Sequence, residues 1–278
     1  DLLESRGLGD VYKRQYEMTE GSGDRLYDRS GNQNHGKIRG KADWAYGPNN
    51  ESILAFDGET GKVSVRNINR LRLKDEMTVS LWFRIEEDEE DEDEEGSSSE
   101  REEEVLLSTK ADFGSDDGFA LSYDRDSDTL AFYGHGNEKL IASGLNLHTG
   151  WHYLALALDS DGADSYLPRM YLDGLKVVSK EGLDLTDQEA LLLGFKAVDS
   201  HGIYAGEEQV DVLSEVTVSD QDLYLGSSVG GESNHFHGQM DRVRLYEATV
   251  PEDLIQWIYT VDGLSLIHIS EPTRLQQI

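Results

Sequence analysis

The chain contains no cysteine in its 278 residues, and this absence excludes several kinds of protein at once. A chain without thiols has no disulfide framework, no thiolate zinc site and no cysteine nucleophile. The sequence also lacks any apolar stretch long enough to span a bilayer. We therefore expect neither a disulfide-rich scaffold nor membrane insertion.

Positive charge is scarce too, since the chain has 25 Lys and Arg residues but 56 Asp and Glu residues. The formal net charge is -31. Such a balance repels phosphate backbones, so nucleic acids and anionic membrane surfaces are poor partners. Cations and neutral polymers remain as candidate ligands.

Much of the negative charge lies in residues 86–104, where fourteen acidic side chains accompany one cation, Arg101. A block of like charge this dense favours a disordered, solvated surface insertion. A low-specificity reservoir for cations is the alternative, but the segment lacks the turn residues and spacing of a calcium loop.

The two ends of the chain are related to each other at the level of DNA. With one codon choice, SRGLGDVYKRQ (Ser5 to Gln15) and LSLIHISEPTR (Leu264 to Arg274) are reverse complements that resemble a transposon sequencing adapter. We interpret residues 1–15 and 264–278 as non-native tails. Residues 16–263 are then one domain, cut from a longer gene whose signal peptide would lie outside this fragment.

Alternation of apolar and polar residues is the dominant pattern between these ends. In MTVSLWFRI, residues 77–85, the side chains of Met77, Val79, Leu81, Phe83 and Ile85 share one face of a predicted strand. In HYLALALD, residues 152–159, both faces are apolar, which predicts a strand covered on two sides. MYLDGLKVV predicts a hairpin that turns at Asp173-Gly174.

Seven further short strands are predicted between turns rich in Gly, Asn and Asp. They cover residues 53–56, 62–65, 105–108, 119–123, 129–133, 223–225 and 240–246. One helix is predicted after Thr249, because Pro251, Glu252 and Asp253 suit its first turn and an apolar stripe follows. The pattern predicts an all-β fold, an antiparallel two-sheet sandwich or jelly roll with one short C-terminal helix.

Seven segments in order carry a resemblance to one family. These are residues 20–36 (EGSGDRLYDRSGNQNHG), 53–58 (ILAFDG), 77–85, 149–159, 170–177, 223–228 (LYLGSS) and 236–254. Together they resemble bacterial laminin-G-like modules of the concanavalin-A-like superfamily. The resemblance implies a non-catalytic, monomeric, extracellular or cell-surface module of a larger protein, binding a polysaccharide or surface glycan.

The same resemblance implies a structural calcium ion bound by Asp28, Asn32, Asn34 and Asp241. Oxygen atoms of these residue types are ligands that calcium accepts. The alternative is that Asp28 and Asn34 cap turns and that Asp241 holds a neighbouring backbone amide. Thr19 stands where many relatives carry an acidic residue, which counts against the metal.

Catalysis is disfavoured by the spacing of the acidic residues. Glycosidases with this sandwich place two carboxylates at alternate positions of one strand, and the only dense match falls in the acidic segment, which has no apolar positions. We therefore expect a binding module rather than an enzyme. A protein-protein adhesion domain and a remote glycoside hydrolase remain as alternatives.

Sugar binding needs aromatic rings beside polar groups in surface loops. We predict ligand contacts at Trp44 and, in the long segment before LYLGSS, at Phe195, His201 and Tyr204. The alternative for that segment is that it covers a sheet edge.

Overall fold

The computed structural model describes residues 12–66, 76–86, 103–134, 139–143, 145–160, 165–179, 213–214, 221–231 and 233–266. Two antiparallel sheets with one shared core form a sandwich, and one α-helix follows the last strand. The predicted all-β fold class with a C-terminal helix is confirmed. No helix in the described ranges combines the length and apolar character needed to cross a membrane.

The described ranges contain 17 strands, one 3-10 turn and one helix. They are β1 (Tyr12–Tyr16), β2 (Arg25–Leu26), β3 (Gly36–Arg39), β4 (Asp43–Tyr46), β5 (Ser52–Asp57), β6 (Lys62–Val65), β7 (Met77–Ile85), β8 (Glu104–Ser108), β9 (Ala120–Asp124), β10 (Thr129–Tyr133), β11 (Lys139–Ala142), the 3-10 turn Leu147–Thr149, β12 (Trp151–Ser160), β13 (Ser165–Leu172), β14 (Leu175–Ser179), β15 (Leu213–Ser214), β16 (Leu223–Leu225), β17 (His237–Tyr246) and the helix α1 (Glu252–Leu266).

One sheet has nine strands, in the order β14-β13-β12-β7-β17-β5-β4, with β15 on β13. Strand β1 also pairs with β17, whose first half is bonded to β5 and whose second half is bonded to β1. The other sheet has eight strands, in the order β11-β10-β9-β8-β16-β6-β3-β2. The first and the last described strands, β1 and β17, therefore pair with each other.

The core between the sheets follows the predicted alternation. Met77, Val79, Leu81, Phe83 and Ile85 of β7 all lie in the core and are at most 3% exposed. In β12 one set of alternate side chains enters this core, while Tyr153, Ala155 and Ala157 face the other side of the sheet. The prediction that this strand is covered on both faces is confirmed.

Helix α1 covers the outer face of the nine-stranded sheet. Its side chains Leu254, Ile255 and Ile258 pack against Trp82 and Tyr153 on the outer face of the nine-stranded sheet. The Trp82 and Tyr259 rings are stacked, with centroids 5.6 Å apart. Both faces of β7 and β12 are therefore covered, and in β7 Arg84 alone is exposed.

The predicted hairpin turns at Asp173 and Gly174, whose φ values of 50° and 80° fit a turn with two left-handed residues. The side chain of the turn residue Asp173 also ties the hairpin to β12, because its Oδ1 accepts a hydrogen bond from the Tyr153 backbone nitrogen at 2.8 Å.

The proposed domain limits fall within elements of structure. Residue 15 lies in β1 and residue 263 lies in α1. Residues 87–102 of the acidic segment lie outside the described residues. Its last residue, Glu104, belongs to β8, where it is buried and paired with Arg125 at 2.9 Å.

Candidate functional site

The loop between β2 and β3 is organised by the carboxylate of Asp28. Oδ1 accepts hydrogen bonds from the backbone nitrogens of Gln15, at 3.0 Å, and Ser30, at 2.9 Å. Oδ2 accepts one from the backbone nitrogen of Asn34 at 2.9 Å. Three amide donors on one buried carboxylate fix both the loop and its position beside β1.

The two asparagines of this loop bind the same neighbouring strand. Asn32 Nδ2 donates to the carbonyl oxygens of Tyr12, at 3.0 Å, and Lys13, at 3.2 Å. Asn34 Nδ2 donates to Lys13 at 3.3 Å, and the Tyr16 hydroxyl donates to the carbonyl oxygen of Asn34 at 2.7 Å. Both side chains therefore anchor the loop to β1.

Asp241 lies in a different environment, at a bulge of β17 where Arg242 has a φ of 47°. Its Oδ1 accepts the Arg242 backbone nitrogen at 2.9 Å, and Arg242 Nε lies 3.5 Å from Oδ2. Burial raises the pKa of Asp241 to about 7, with Arg242 and Arg244 opposing the shift and Glu17 adding to it.

The calcium site predicted at Asp28, Asn32, Asn34 and Asp241 stays a prediction. No hydrogen bond or ion pair of the described residues joins Asp241 to Asp28, Asn32 or Asn34. No group of three His, Cys, Asp or Glu side chains within the described ranges could hold a metal ion. Asp241 instead has a guanidinium group as its neighbour, which opposes a bound cation.

The predicted sugar contacts are in part outside the described residues, where Phe195, His201 and Tyr204 lie. Trp44 is described, on the edge strand β4. Its indole Nε1 donates to the Gly23 carbonyl oxygen at 2.7 Å, and the ring packs partly buried against the core. Trp44 therefore has a structural role that leaves only part of its ring to solvent.

A surface that the sequence did not single out lies on the outer side of β2 and β3. We call it the β2–β3 face and define it by Arg25, Tyr27, His35, Lys37 and Arg39. These side chains alternate with the buried Leu26, Gly36 and Ile38, which point into the sandwich. The alternation places all five on one side of the sheet.

The centre of this face is Tyr27, which is 40% exposed. Its ring meets the His35 ring edge to face at a centroid distance of 5.2 Å. The guanidinium carbons of Arg25 and Arg29 lie 5.0 Å and 5.8 Å from the ring centroid. Such distances are within the range of cation–π attraction, so the ring is held in place while part of it stays accessible.

Hydrogen bonds set the orientation of the neighbouring groups. His35 Nδ1 accepts the backbone nitrogen of Asp28 at 3.1 Å, so in the neutral ring the proton is on Nε2. Arg29 Nη2 lies 3.3 Å from Glu20 Oε1, and the same oxygen accepts the Tyr27 backbone nitrogen at 3.3 Å. The Asp28 loop thus orients the side chains of the β2–β3 face.

The β2–β3 face was detectable only in part from sequence. The alternation of Lys37, Ile38 and Arg39 is visible, but the sequence does not fix the partner of that short strand. Tyr27 directly precedes Asp28 of the predicted calcium site, and it is not among the predicted sugar contacts.

No protein-family model and no curated protein sequence matches this chain. Solved structures do match its fold. The binding domain of botulinum neurotoxin serotype D aligns with a TM-score of 0.60 and 10% identity over 93% of this chain and 53% of that chain. The type G receptor-binding domain aligns with a TM-score of 0.56 and 9% identity, over 91% and 51%.

The binding domain of Paraclostridial Mosquitocidal Protein 1 aligns with a TM-score of 0.57 and 11% identity, over 92% of this chain and 53% of that one. The chain therefore spans about half the length of these structures. Identities this low show the fold alone. What the chain has in common with them is a β-sandwich of the kind found in toxin binding domains.

Proposed function

We propose that the protein is a non-catalytic, extracellular binding module that contacts a glycan through the β2–β3 face. The observation that carries the proposal is the exposed Tyr27 ring between Arg25 and Arg29, on the outer side of the eight-stranded sheet. A ring face provides apolar contact with a sugar at low entropic cost. The guanidinium and imidazole groups beside it donate hydrogen bonds to ring oxygens and hydroxyls.

The comparisons support a binding role without identifying the ligand. The structures that share the fold are named as binding or receptor-binding domains, two of them of botulinum neurotoxins. Toxins act outside the cell that makes them, which agrees with an extracellular location for this module. Phe195, His201 and Tyr204 would then be additional contacts in the long segment before β16.

The chemistry of the described carboxylates agrees with a non-catalytic role. Asp28 binds backbone amides, Glu104 pairs with Arg125, and Glu103 accepts hydrogen bonds from Ser122, at 2.5 Å, and Tyr133, at 2.6 Å. Each of these carboxylates has partners that hold the fold together. A glycosidase needs one carboxyl group to protonate the leaving oxygen and a second to attack or to activate water.

A glycan array tests the proposal directly. We expect binding to at least one glycan class, lost in Tyr27→Ala and kept in Tyr46→Ala, because Tyr46 is 70% exposed on the other sheet. An array without any signal, or equal loss in both variants, would overturn the proposal. Release of reducing sugar from a polysaccharide panel would instead favour a glycoside hydrolase, and capture of a protein ligand would favour an adhesion domain.

A structural calcium ion held by Asp28, Asn32, Asn34 and Asp241 is a separate proposal, which rests on the sequence resemblance. The amide donors on Asp28 and the guanidinium group beside Asp241 oppose it. Calorimetric titration of chelator-treated protein decides the matter. A saturable heat of calcium binding supports the proposal, and a flat isotherm refutes it.

A further inference from the structure

The outer side of the eight-stranded sheet places like charges directly opposite each other. The register pairs Arg25 with Lys37, and Arg39 with Lys62. Lys37 and Arg39 are two residues apart on β3, so their Cα atoms are separated by roughly 6.7 Å. Like charges at opposed positions of neighbouring strands destabilise a sheet. Four cations therefore share one face at a cost in stability.

Acidic side chains compensate little of this charge. Of the four cations, Lys37 has a carboxylate neighbour, Asp24, at 3.5 Å, and both side chains are more than half exposed. Arg39 Nε donates to the Ser64 hydroxyl at 3.3 Å, and the Lys62 ammonium donates to the carbonyl oxygen of Gly231. No carboxylate within the described ranges forms an ion pair with Arg25, Arg39 or Lys62.

This arrangement is unexpected in a chain with a net charge of -31. Acidic side chains outnumber basic ones by more than two to one, yet basic residues oppose each other on adjoining strands at both of these positions. The Debye length is about 8 Å at physiological ionic strength, so distant acids are largely screened from a ligand on this face. The local charge decides which ligand is attracted there.

We infer that this basic side of β2, β3 and β6 binds a carboxylated polysaccharide, with Arg25, Lys37 and Arg39 pairing its uronate groups. The inference deepens the proposed function and rests on it, since it names the class of glycan. Arginine binds a carboxylate through two parallel N–H donors, whereas lysine supplies a point charge. The Tyr27 ring, beside Arg25, would contact the face of an adjoining sugar ring.

Two features favour a polysaccharide over an acidic peptide. On this face Ser64 is in register with Lys37, and Tyr224 of the next strand is in register with Ser64, which adds hydroxyl and ring contacts suited to sugar. The accessible Tyr27 ring at one end adds a second such contact. An acidic peptide would use the cations and leave these groups without a specific role.

The experiment compares four polymers on the full chain by isothermal titration calorimetry: polygalacturonate, dextran sulfate, neutral dextran and poly-glutamate. We expect saturable binding of polygalacturonate that weakens as salt is raised, and no heat with neutral dextran. The double variant Lys37→Glu, Arg39→Glu should bind at least about tenfold more weakly. The milder Lys37→Gln, Arg39→Gln should show an intermediate loss.

Lys139→Glu is the matched control. Lys139 is also exposed, and it lies in the same cross-strand row at the far edge of this sheet, six strand spacings or roughly 29 Å from β3. This variant should bind polygalacturonate as the unaltered protein does. Thermal unfolding of all variants shows whether they are folded, and the glutamine pair keeps the test decisive if charge reversal unfolds the chain.

Each alternative outcome has one meaning. Binding to neutral glycans that charge reversal leaves unchanged would overturn this inference and leave the proposed function standing. Equal affinity for poly-glutamate would replace the glycan by an acidic peptide, and preference for dextran sulfate would replace carboxylate by sulfate. Failure to bind any glycan would overturn both the inference and the proposed function.

Discussion

Glu17 and Arg244 form a two-point ion pair, in which Arg244 Nε lies 3.0 Å from Glu17 Oε1 and Nη2 lies 3.2 Å from Oε2. Arg244 also pairs with Asp262 of α1. Burial alone would raise the pKa of Glu17, but the charge and hydrogen bonds of Arg244 outweigh it and lower that pKa. One guanidinium group thus joins the residue after β1, strand β17 and the helix.

Removing this guanidinium should destabilise the fold strongly. Arg244→Gln leaves Glu17 and Asp262 without their shared cation, and we expect the free energy of unfolding to fall by about 2–4 kcal/mol. Arg169→Gln is the control, because its pair with Asp159 is more than a third exposed on both sides. That loss should stay below about 1 kcal/mol. Urea denaturation measures both values, and equal losses would contradict the assignment.

Asp241 should make stability depend on pH near neutrality. Because its folded pKa is raised from 3.8 to about 7, the folded state holds a proton that the unfolded state releases. Stability should therefore fall as pH rises from about 4 to about 7, with a slope of at most about 1.4 kcal/mol per pH unit from this group. Asp241→Asn should lack this component when both proteins are unfolded in urea between pH 5 and 8. Parallel profiles would show that the Asp241 carboxyl titrates normally.

Gly226 should tolerate no side chain. A Cβ atom there would lie 2.3 Å from the ring of the buried Phe56, and its φ is 75°. Gly230 has a similar φ of 85° but open space around its Cβ position. We expect Gly226→Ala to cost about 2 kcal/mol more than Gly230→Ala, because the clash adds to the shared backbone strain. The midpoints of thermal unfolding test this, and equal shifts would contradict it.

Asp28 should be a stability residue whether or not calcium binds. Asp28→Ala removes the acceptor of three backbone N–H groups, so we expect a loss of about 2–3 kcal/mol in chelator-treated protein. Asp24→Ala, four residues earlier at an exposed position, should change stability by less than about 0.5 kcal/mol. A stable Asp28→Ala variant without calcium would show that the loop is held by other contacts.

The sandwich was predictable from sequence because burial imposes period-two alternation on each strand. Strands β6, β10 and β16 begin and end at the predicted residues, and β7 does so as well. These strands contribute to a common core, so their apolar faces are nearly uninterrupted. Neither β2 nor β3 is among the predicted strands, and the two residues of β2 are too few to show such a pattern.

The candidate surface was less predictable because it depends on register between separate segments. The sequence around Arg25 or Lys62 does not indicate a binding site. These residues lie opposite Lys37 and Arg39 only because of the register in which β2, β3 and β6 pair. The net charge of -31 favoured cations and neutral polymers as ligands. The net charge of the whole chain does not reveal that one face of a sheet is positively charged.

The position of β17 has a consequence for how the chain folds. This strand lies between β7 on one side and β5 and β1 on the other, yet it comes after all the other strands of the described ranges in sequence. Its pairing with β1 joins residues 12–16 to residues 243–246, so these contacts link segments that are far apart in sequence. Such distant contacts slow folding. On the ribosome, the nine-stranded sheet would remain split at its centre, with unpaired strand edges, until β17 emerges.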